Sequence, residues 1–282
     1  RRGRPGRRQM RSEREPLVEA ARLSPHRPLV ACSIRDILQR ERKPGRAEEA
    51  VAKLERAFDL VLVHGDPAFM PLEETFPEAA RIARMVRYTG IVTGPLVPLS
   101  GSRHDIVVSA GGGAAGAALM HAARQALDLI SSDLTWCFLT GPNLPEGLRE
   151  KLFPDLPAHA VATPFRSDFR ALLSEARLSV SQCGYNTAAD VLRAGCRALF
   201  VPFSAGGETE QADRARALEA RGAAHVINEG TLGGATLAAA ISHALAAPRP
   251  PRSGPKLDGA ETTARVLGEE LVRHRTAVSG GR

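Results

Sequence analysis

Short apolar runs bounded by glycine, proline and charged residues recur along the chain. Between them lie amphipathic stretches with apolar residues three and four apart. Three such runs come first, at residues 27–33 (RPLVACS), 59–64 (DLVLVH) and 86–92 (VRYTGIV), and each reads as a strand. Helices are predicted at residues 12–24, capped by Ser12 with Pro16 in the first turns, at 46–58 and at 73–85. Gly94, Pro95, Pro98 and Gly101 then leave residues 93–104 without periodicity, which predicts an interdomain linker.

The alternation restarts more strongly beyond it. Strands are predicted at residues 105–110, 134–140, 158–163, 178–182, 198–202 and 224–227. Helices are predicted at 114–130, 146–152, 169–176, 188–194, 210–221 and 236–246. Strands that alternate with helices form parallel sheets, so this part predicts one complete Rossmann-like α/β domain. The three earlier strands are too few for a second one and read as the C-terminal half of such a domain. The expected organisation is a partial N-terminal α/β domain at 1–100, the complete domain at 101–248, and a Pro-rich break with a final helix (260–273) at 249–282.

Composition adds bounds. The chain has 282 residues, 43% of them hydrophobic and 24% charged, as expected of a water-exposed globular protein of two domains. Only 4% are aromatic, so aliphatic residues and alanine must fill the core. A net charge of +7 raises nucleic acid as a partner. Much of the excess sits in the arginines of residues 1–14, however, and no recognition helix or aromatic stacking face accompanies it, so no nucleic-acid partner is expected. The four cysteines have no CxxC spacing and no nearby His cluster, so neither a metal site nor a disulfide framework is expected, and no cofactor either. No apolar run approaches the roughly 18 residues of a membrane-spanning helix. The cytoplasm is the default compartment, with peripheral membrane contact left open. The chain starts at Arg1 with no strand ahead of it, which reads as a start lying upstream.

Three segments carry candidate chemistry. Residues 109–116 (SAGGGAAG) follow a strand and open a helix. Glycines there let backbone N–H groups approach phosphate oxygens, and the helix N-terminus favours negative charge; the alternative is that small residues let the helix pack closely. Residues 181–195 (SQCGYNTAADVLRAG) place a turn at Gly184, with Asn186 and Thr187 as caps of the next helix. Asp190, one turn after Thr187, is suited to a ribose, or is a solvated acid favoured by the dipole. Residues 200–214 (FVPFSAGGETEQADR) end a buried strand and start a polar helix, where Glu210 and Gln211 offer oriented groups to sugar hydroxyls, or only N-terminal helix charge.

The second and third segments resemble the donor-binding half of the family 28 GT-B glycosyltransferases. That family includes the bacterial lipid-linked N-acetylglucosaminyltransferase of peptidoglycan synthesis. The matching residues are Ser181, Gly184, Thr187, Asp190, Ala194-Gly195, residues 200–203, Glu210-Gln211 and Gly222-Ala223-Ala224, with the glycine loop at 111–116. Residues 6–10 (GRRQM) and 64–67 (HGDP) are similar to a bacterial branch of predicted glycosyltransferases.

The resemblance implies a two-domain GT-B fold and metal-independent transfer of a hexosyl group from a nucleotide sugar, of UDP type, to an acceptor that the sequence leaves unnamed. It implies that Gly112, Gly113 and Gly116 face the diphosphate and that Gly184, Asn186 and Thr187 hold phosphate. Asp190 would take the ribose, Glu210 with Gln211 the sugar, and Phe165 a place beside the base. The chain departs from the pattern twice, with Asp190 in place of the usual Glu and Glu210 in place of the first Gln of a pair. The family's catalytic base lies in a stretch not found here, and His64 and Asp66 are not assigned to that role. A nucleotide-sugar hydrolase or epimerase, and a nucleotide-sugar-binding chain without turnover, remain the alternatives.

Overall fold

The computed structural model describes residues 9–280, apart from 41–43, 96, 99–100, 102, 112–115, 143, 145–146 and 251–253. The chain forms two compact units, Arg1–Val92 with Asp258–Arg282, and Thr93–Leu257.

The first unit holds α1 (Gln9–Leu23), β1 (Ala31–Arg35), α2 (Arg46–Ala57), β2 (Leu60–His64) and β3 (Val86–Tyr88). Its three strands are parallel in the order β1-β2-β3, with Arg35 opposite His64 and Val63 opposite Tyr88. The helix α1 starts at Gln9, so Ser12 lies inside it rather than capping it. The helix expected at 73–85 is instead two 3₁₀ segments, Leu72–Glu74 and Pro77–Met85. Pro77 explains the break: a residue before proline is driven out of the α region, and Phe76 has φ −144° and ψ 77°. Val51, Val61, Val63, Leu72, Ala79 and Ile82 form the core on one side.

The final helix, α9 (Gly259–Gly280), belongs to this unit rather than standing apart. Its Val266 packs on Leu60 and Leu62, and Glu270 accepts a hydrogen bond from Arg87 Nε at 2.9 Å. The helix starts where the Gly259 N–H donates to the Ile91 carbonyl at 3.1 Å. A side chain at 259 would put its Cβ 2.4 Å from the Gly90 carbonyl oxygen, so only glycine fits this approach.

The second unit contains β4 (Ile106–Ser109), α3 (Ala117–Leu127), β5 (Trp136–Leu139), α4 (Leu148–Leu152), β6 (Ala160–Thr163), α5 (Phe169–Glu175), β7 (Leu178–Ser181), α6 (Tyr185–Ala194), β8 (Arg197–Phe200), α7 (Glu210–Glu219), β9 (His225–Val226) and α8 (Gly234–Ala246). All six predicted strands form, every pairing is parallel, and the order is β6-β5-β4-β7-β8-β9. This is the doubly wound Rossmann arrangement, in which the chain reverses direction across the sheet between its first and fourth strands, here β4 and β7.

Helices α3 and α8 cover one face of that sheet, packing Leu119, Met120, Leu237 and Ile241 onto Ile106, Val108, Leu178 and Val180. Alanine does much of the filling, with Ala122, Ala123 and Ala126 on α3 and Ala238 and Ala244 on α8. The few aromatics are concentrated: Trp136 stacks on Phe138 at 5.6 Å between centroids, and Phe138 meets Phe153 at 4.9 Å.

Candidate nucleotide-binding site

In an open parallel sheet, ligands bind beyond the carboxyl ends of the strands where the order reverses. That point is fixed here by register. Ser109 and Ser181, the last residues of β4 and β7, are direct partners, so the turns after these strands leave the sheet side by side.

After β4 the chain bends at Gly111, with φ +67°. Gly112 and Gly113, both expected at the diphosphate, lie outside the described residues. Gly116 immediately precedes α3, and a Cβ there would lie 2.2 Å from the Ala110 Cβ. Close packing of helix on strand thus accounts for this glycine. Gly141, after β5, has φ +78°, and its Cβ position is 2.4 Å from the Gly111 carbonyl oxygen. A Cβ on Gly111 would in turn lie 4.0 Å from Gln182 Oε1, which brings the turn after β7 against the turn after β4.

Helix α6 begins at Tyr185, three residues before the expected start, with Gly184 in the capping position and no side-chain cap. Asn186 and Thr187 are therefore first-turn residues and not caps. The N–H groups of this turn have no intrahelical partner, and an uncapped helix start is suited to an anion. Asn186 is exposed, and Gly184 and Thr187 are half-buried.

Asp190, further along α6, is half-buried, and its Oδ1 accepts a hydrogen bond from Thr93 Oγ1 at 3.2 Å. Burial pushes its carboxyl up from the ordinary range, while the Thr93 hydroxyl and the Arg170 guanidinium pull it back down. Gly94, beside Thr93, is so close to Arg170 on α5 that a Cβ would fall 1.3 Å from Nη1.

At the start of α7, Gln211 Oε1 accepts from the Phe203 N–H at 3.2 Å and ties this helix to the end of β8. Glu210 accepts from Arg214 Nη2 at 3.0 Å, and Arg214 Nη1 donates to the Cys183 carbonyl at 2.8 Å. The second and third sequence segments are thus joined through Arg214, which the sequence reading did not single out. Its only signal was the four-residue spacing from Glu210, the spacing of an ion pair on a helix face. Phe165 follows β6, is 71% exposed, and its carbonyl accepts from Thr163 Oγ1 at 3.2 Å.

In the first unit, His64 is held on both sides. Nδ1 lies 2.9 Å from Thr89 Oγ1 and Nε2 lies 2.7 Å from Ser33 Oγ. Burial pulls the imidazole below its ordinary value. Asp66 is buried, and its Oδ1 accepts from the Ala68 N–H at 2.9 Å, a local turn bond. Among the described residues no group of three or more His, Cys, Asp or Glu is placed to hold a metal ion, and no helix is long and apolar enough to cross a membrane.

A UDP-N-acetylglucosamine--N-acetylmuramyl-(pentapeptide) pyrophosphoryl-undecaprenol N-acetylglucosamine transferase of Ralstonia nicotianae is 41% identical over 80 residues, 28% of this chain and 22% of that protein. The enzyme of the same name from Geotalea uraniireducens is 27% identical over 228 residues, 74% of this chain and 61% of its own length. The chain thus spans less than two thirds of these relatives.

Among solved structures, the calicheamicin glycosyltransferase CalG4 matches with a TM-score of 0.55 at 18% identity, over 82% of this chain and 62% of that one. Acinetobacter baumannii MurG matches with a TM-score of 0.54 at 19% identity, over 79% and 76%. These likenesses establish the α/β fold of GT-B type. Residues 106–261, over half of the sequence, match the glycosyltransferase family 28 C-terminal domain, and the chain belongs to that family.

Proposed function

We propose that the second unit binds a nucleotide sugar and that the protein transfers its hexosyl group to a hydroxyl acceptor. The observation that carries this reading is that the turns after β4 and β7 leave the sheet side by side where its order reverses, beside the uncapped first turn of α6, with the segment after β8 tied to them through Arg214. A diphosphate there receives N–H groups at the start of a helix, where the dipole favours it. The relatives are named for transfer from UDP-N-acetylglucosamine, which supports uridine as the nucleoside.

On this reading the glycine turn that begins at Gly111 and residues 184–187 hold the diphosphate. Asp190 takes the ribose with the carboxylate oxygen not engaged by Thr93. Glu210 and Gln211 take the sugar, and exposed Phe165 offers its ring to the base. When the acceptor oxygen attacks the anomeric carbon, the bond to the diphosphate breaks and charge builds on the departing oxygen. The amide groups already aimed at that oxygen stabilise it, with no reorganisation at the moment of transfer. The proton lost by the acceptor goes to a base outside this unit.

Calorimetric titration with UDP-, GDP- and TDP-sugars tests the reading, with Asp190→Ala and Gln211→Ala as controls. UDP-sugars are expected to bind and both variants to bind more weakly. No binding of any of the three, or wild-type binding by both variants, overturns it.

A further inference from the structure

Among the described residues of the second unit, Arg214 is the most deeply buried basic side chain, 2% exposed, on a helix where its neighbours Ala215 and Leu218 are core residues. Removing a guanidinium from water costs free energy that only well-aimed partners return. Here the partners come from three segments. The group donates to the Cys183 carbonyl in the turn after β7 and to the Glu210 carboxylate in the first turn of α7, and it lies 5.8 Å from the centroid of the Tyr185 ring at the start of α6. Such a fork fixes the distance from the α6 N-terminus to Glu210.

Glu210 itself keeps 25% of its side chain exposed, so a ligand can reach it. A carboxylate differs from the amide of glutamine in one respect that matters: it only accepts hydrogen bonds. With one oxygen taken by Arg214, the other is aimed and can receive a charge-assisted bond from a hydroxyl. A ligand lacking that hydroxyl would strip water from the carboxylate and return nothing.

We propose that Arg214 is a positioning residue that aims Glu210 at a single hydroxyl of the donor sugar, making that hydroxyl the specificity-determining group of the donor. The proposal rests on the donor-site reading above. It selects hexosyl donors by a free hydroxyl at one ring position and rejects donors blocked or deoxygenated there.

The test uses this chain, UDP as the reference ligand, UDP-glucose, and four analogues of UDP-glucose in which fluorine replaces each sugar hydroxyl in turn. Fluorine keeps the size of the hydroxyl and cannot donate. Affinities relative to UDP are measured calorimetrically for wild type, Glu210→Gln and Arg214→Lys, with thermal melts to confirm folding. In wild type one position is expected to lose about tenfold or more on fluorination, the loss of one charge-assisted bond. In Glu210→Gln and in Arg214→Lys the loss at that same position is expected to shrink to about threefold or less. A merely structural role for Arg214 would weaken all five sugar ligands alike and leave the pattern intact.

The proposal is overturned if no position responds in wild type, or if the responsive position stays responsive in Glu210→Gln. It is overturned likewise if a folded Arg214→Lys keeps the wild-type pattern; should that variant fail to fold, Arg214→Gln is read in its place by the same melts and titrations. If wild type binds neither UDP nor UDP-glucose, the donor-site reading itself falls; if UDP-glucose binds and no position responds, only the present proposal falls.

Discussion

Thr93 Oγ1 donates to Asp190 Oδ1 at 3.2 Å, so the acid we propose for the ribose also holds the first residue of its own unit. A half-buried carboxylate held by one hydroxyl is short of the solvation it had in water, and its protonated form is favoured accordingly. The folded protein therefore binds this proton more tightly than the unfolded chain does. The stability that Asp190 contributes is present at low pH and is lost as pH rises through its raised folded value. Asp190→Asn keeps an acceptor for Thr93 and removes the charge. It is expected to melt above wild type at neutral pH, with the advantage vanishing below about pH 4, the unfolded carboxylate value. The same variant is expected to bind nucleotide sugar more weakly. Thermal melts from pH 3 to 8 read the first effect, and a variant less stable than wild type at pH 7 contradicts it.

Gly116→Ala places a methyl group 2.2 Å from the Ala110 Cβ. The helix must move off the strand end, at a cost of about 1–3 kcal/mol. Chemical denaturation measures the loss, and nucleotide affinity is expected to fall with it, since α3 carries the far end of the glycine turn.

Trp136→Ala removes a fully buried ring stacked on Phe138. The expected destabilisation is about 3–5 kcal/mol by denaturant titration, because the alanine-rich surroundings have few long side chains with which to refill the space.

His64 is expected to titrate below about 6.5, the ordinary histidine value, by NMR. A lowered folded value means that stability is lost as pH falls through the unfolded value toward the folded one. His64→Gln should flatten the melting profile over that acid window, on top of a loss at every pH from the hydrogen bonds to Thr89 and Ser33.

Much of the fold was legible in the residues. Apolar runs located the nine strands of the described residues; β4, β5 and β7 are buried along their length, as parallel strands covered on both faces are, whereas β1 alternates exposed and half-buried positions. Their order was not legible, and with it the pairing of Ser109 with Ser181 that sets the site at the reversal between β4 and β7. The start of α6 was misjudged because Tyr185, Asn186 and Thr187 have modest helix propensity, so a helix capped by Gly184 looked like a turn. Gly116, which the resemblance places at the diphosphate, packs so closely on Ala110 that glycine is required there with or without a ligand. Arg214 was missed because amphipathic patterns count an arginine as surface. Its burial is made tolerable by partners that include the Cys183 carbonyl, the Tyr185 ring and the Glu210 carboxylate, the first two distant in sequence.

The docking of α9 bears on how the chain is made. Leu60 and Leu62 emerge from the ribosome some two hundred residues before Val266, the side chain that covers them. Thr93–Leu257 is complete in the meantime and can fold during synthesis, whereas the earlier strands must wait for the last helix. A nonsense codon near residue 258 would therefore spare the second unit and leave the amino-terminal sheet with a bare apolar face, prone to aggregate.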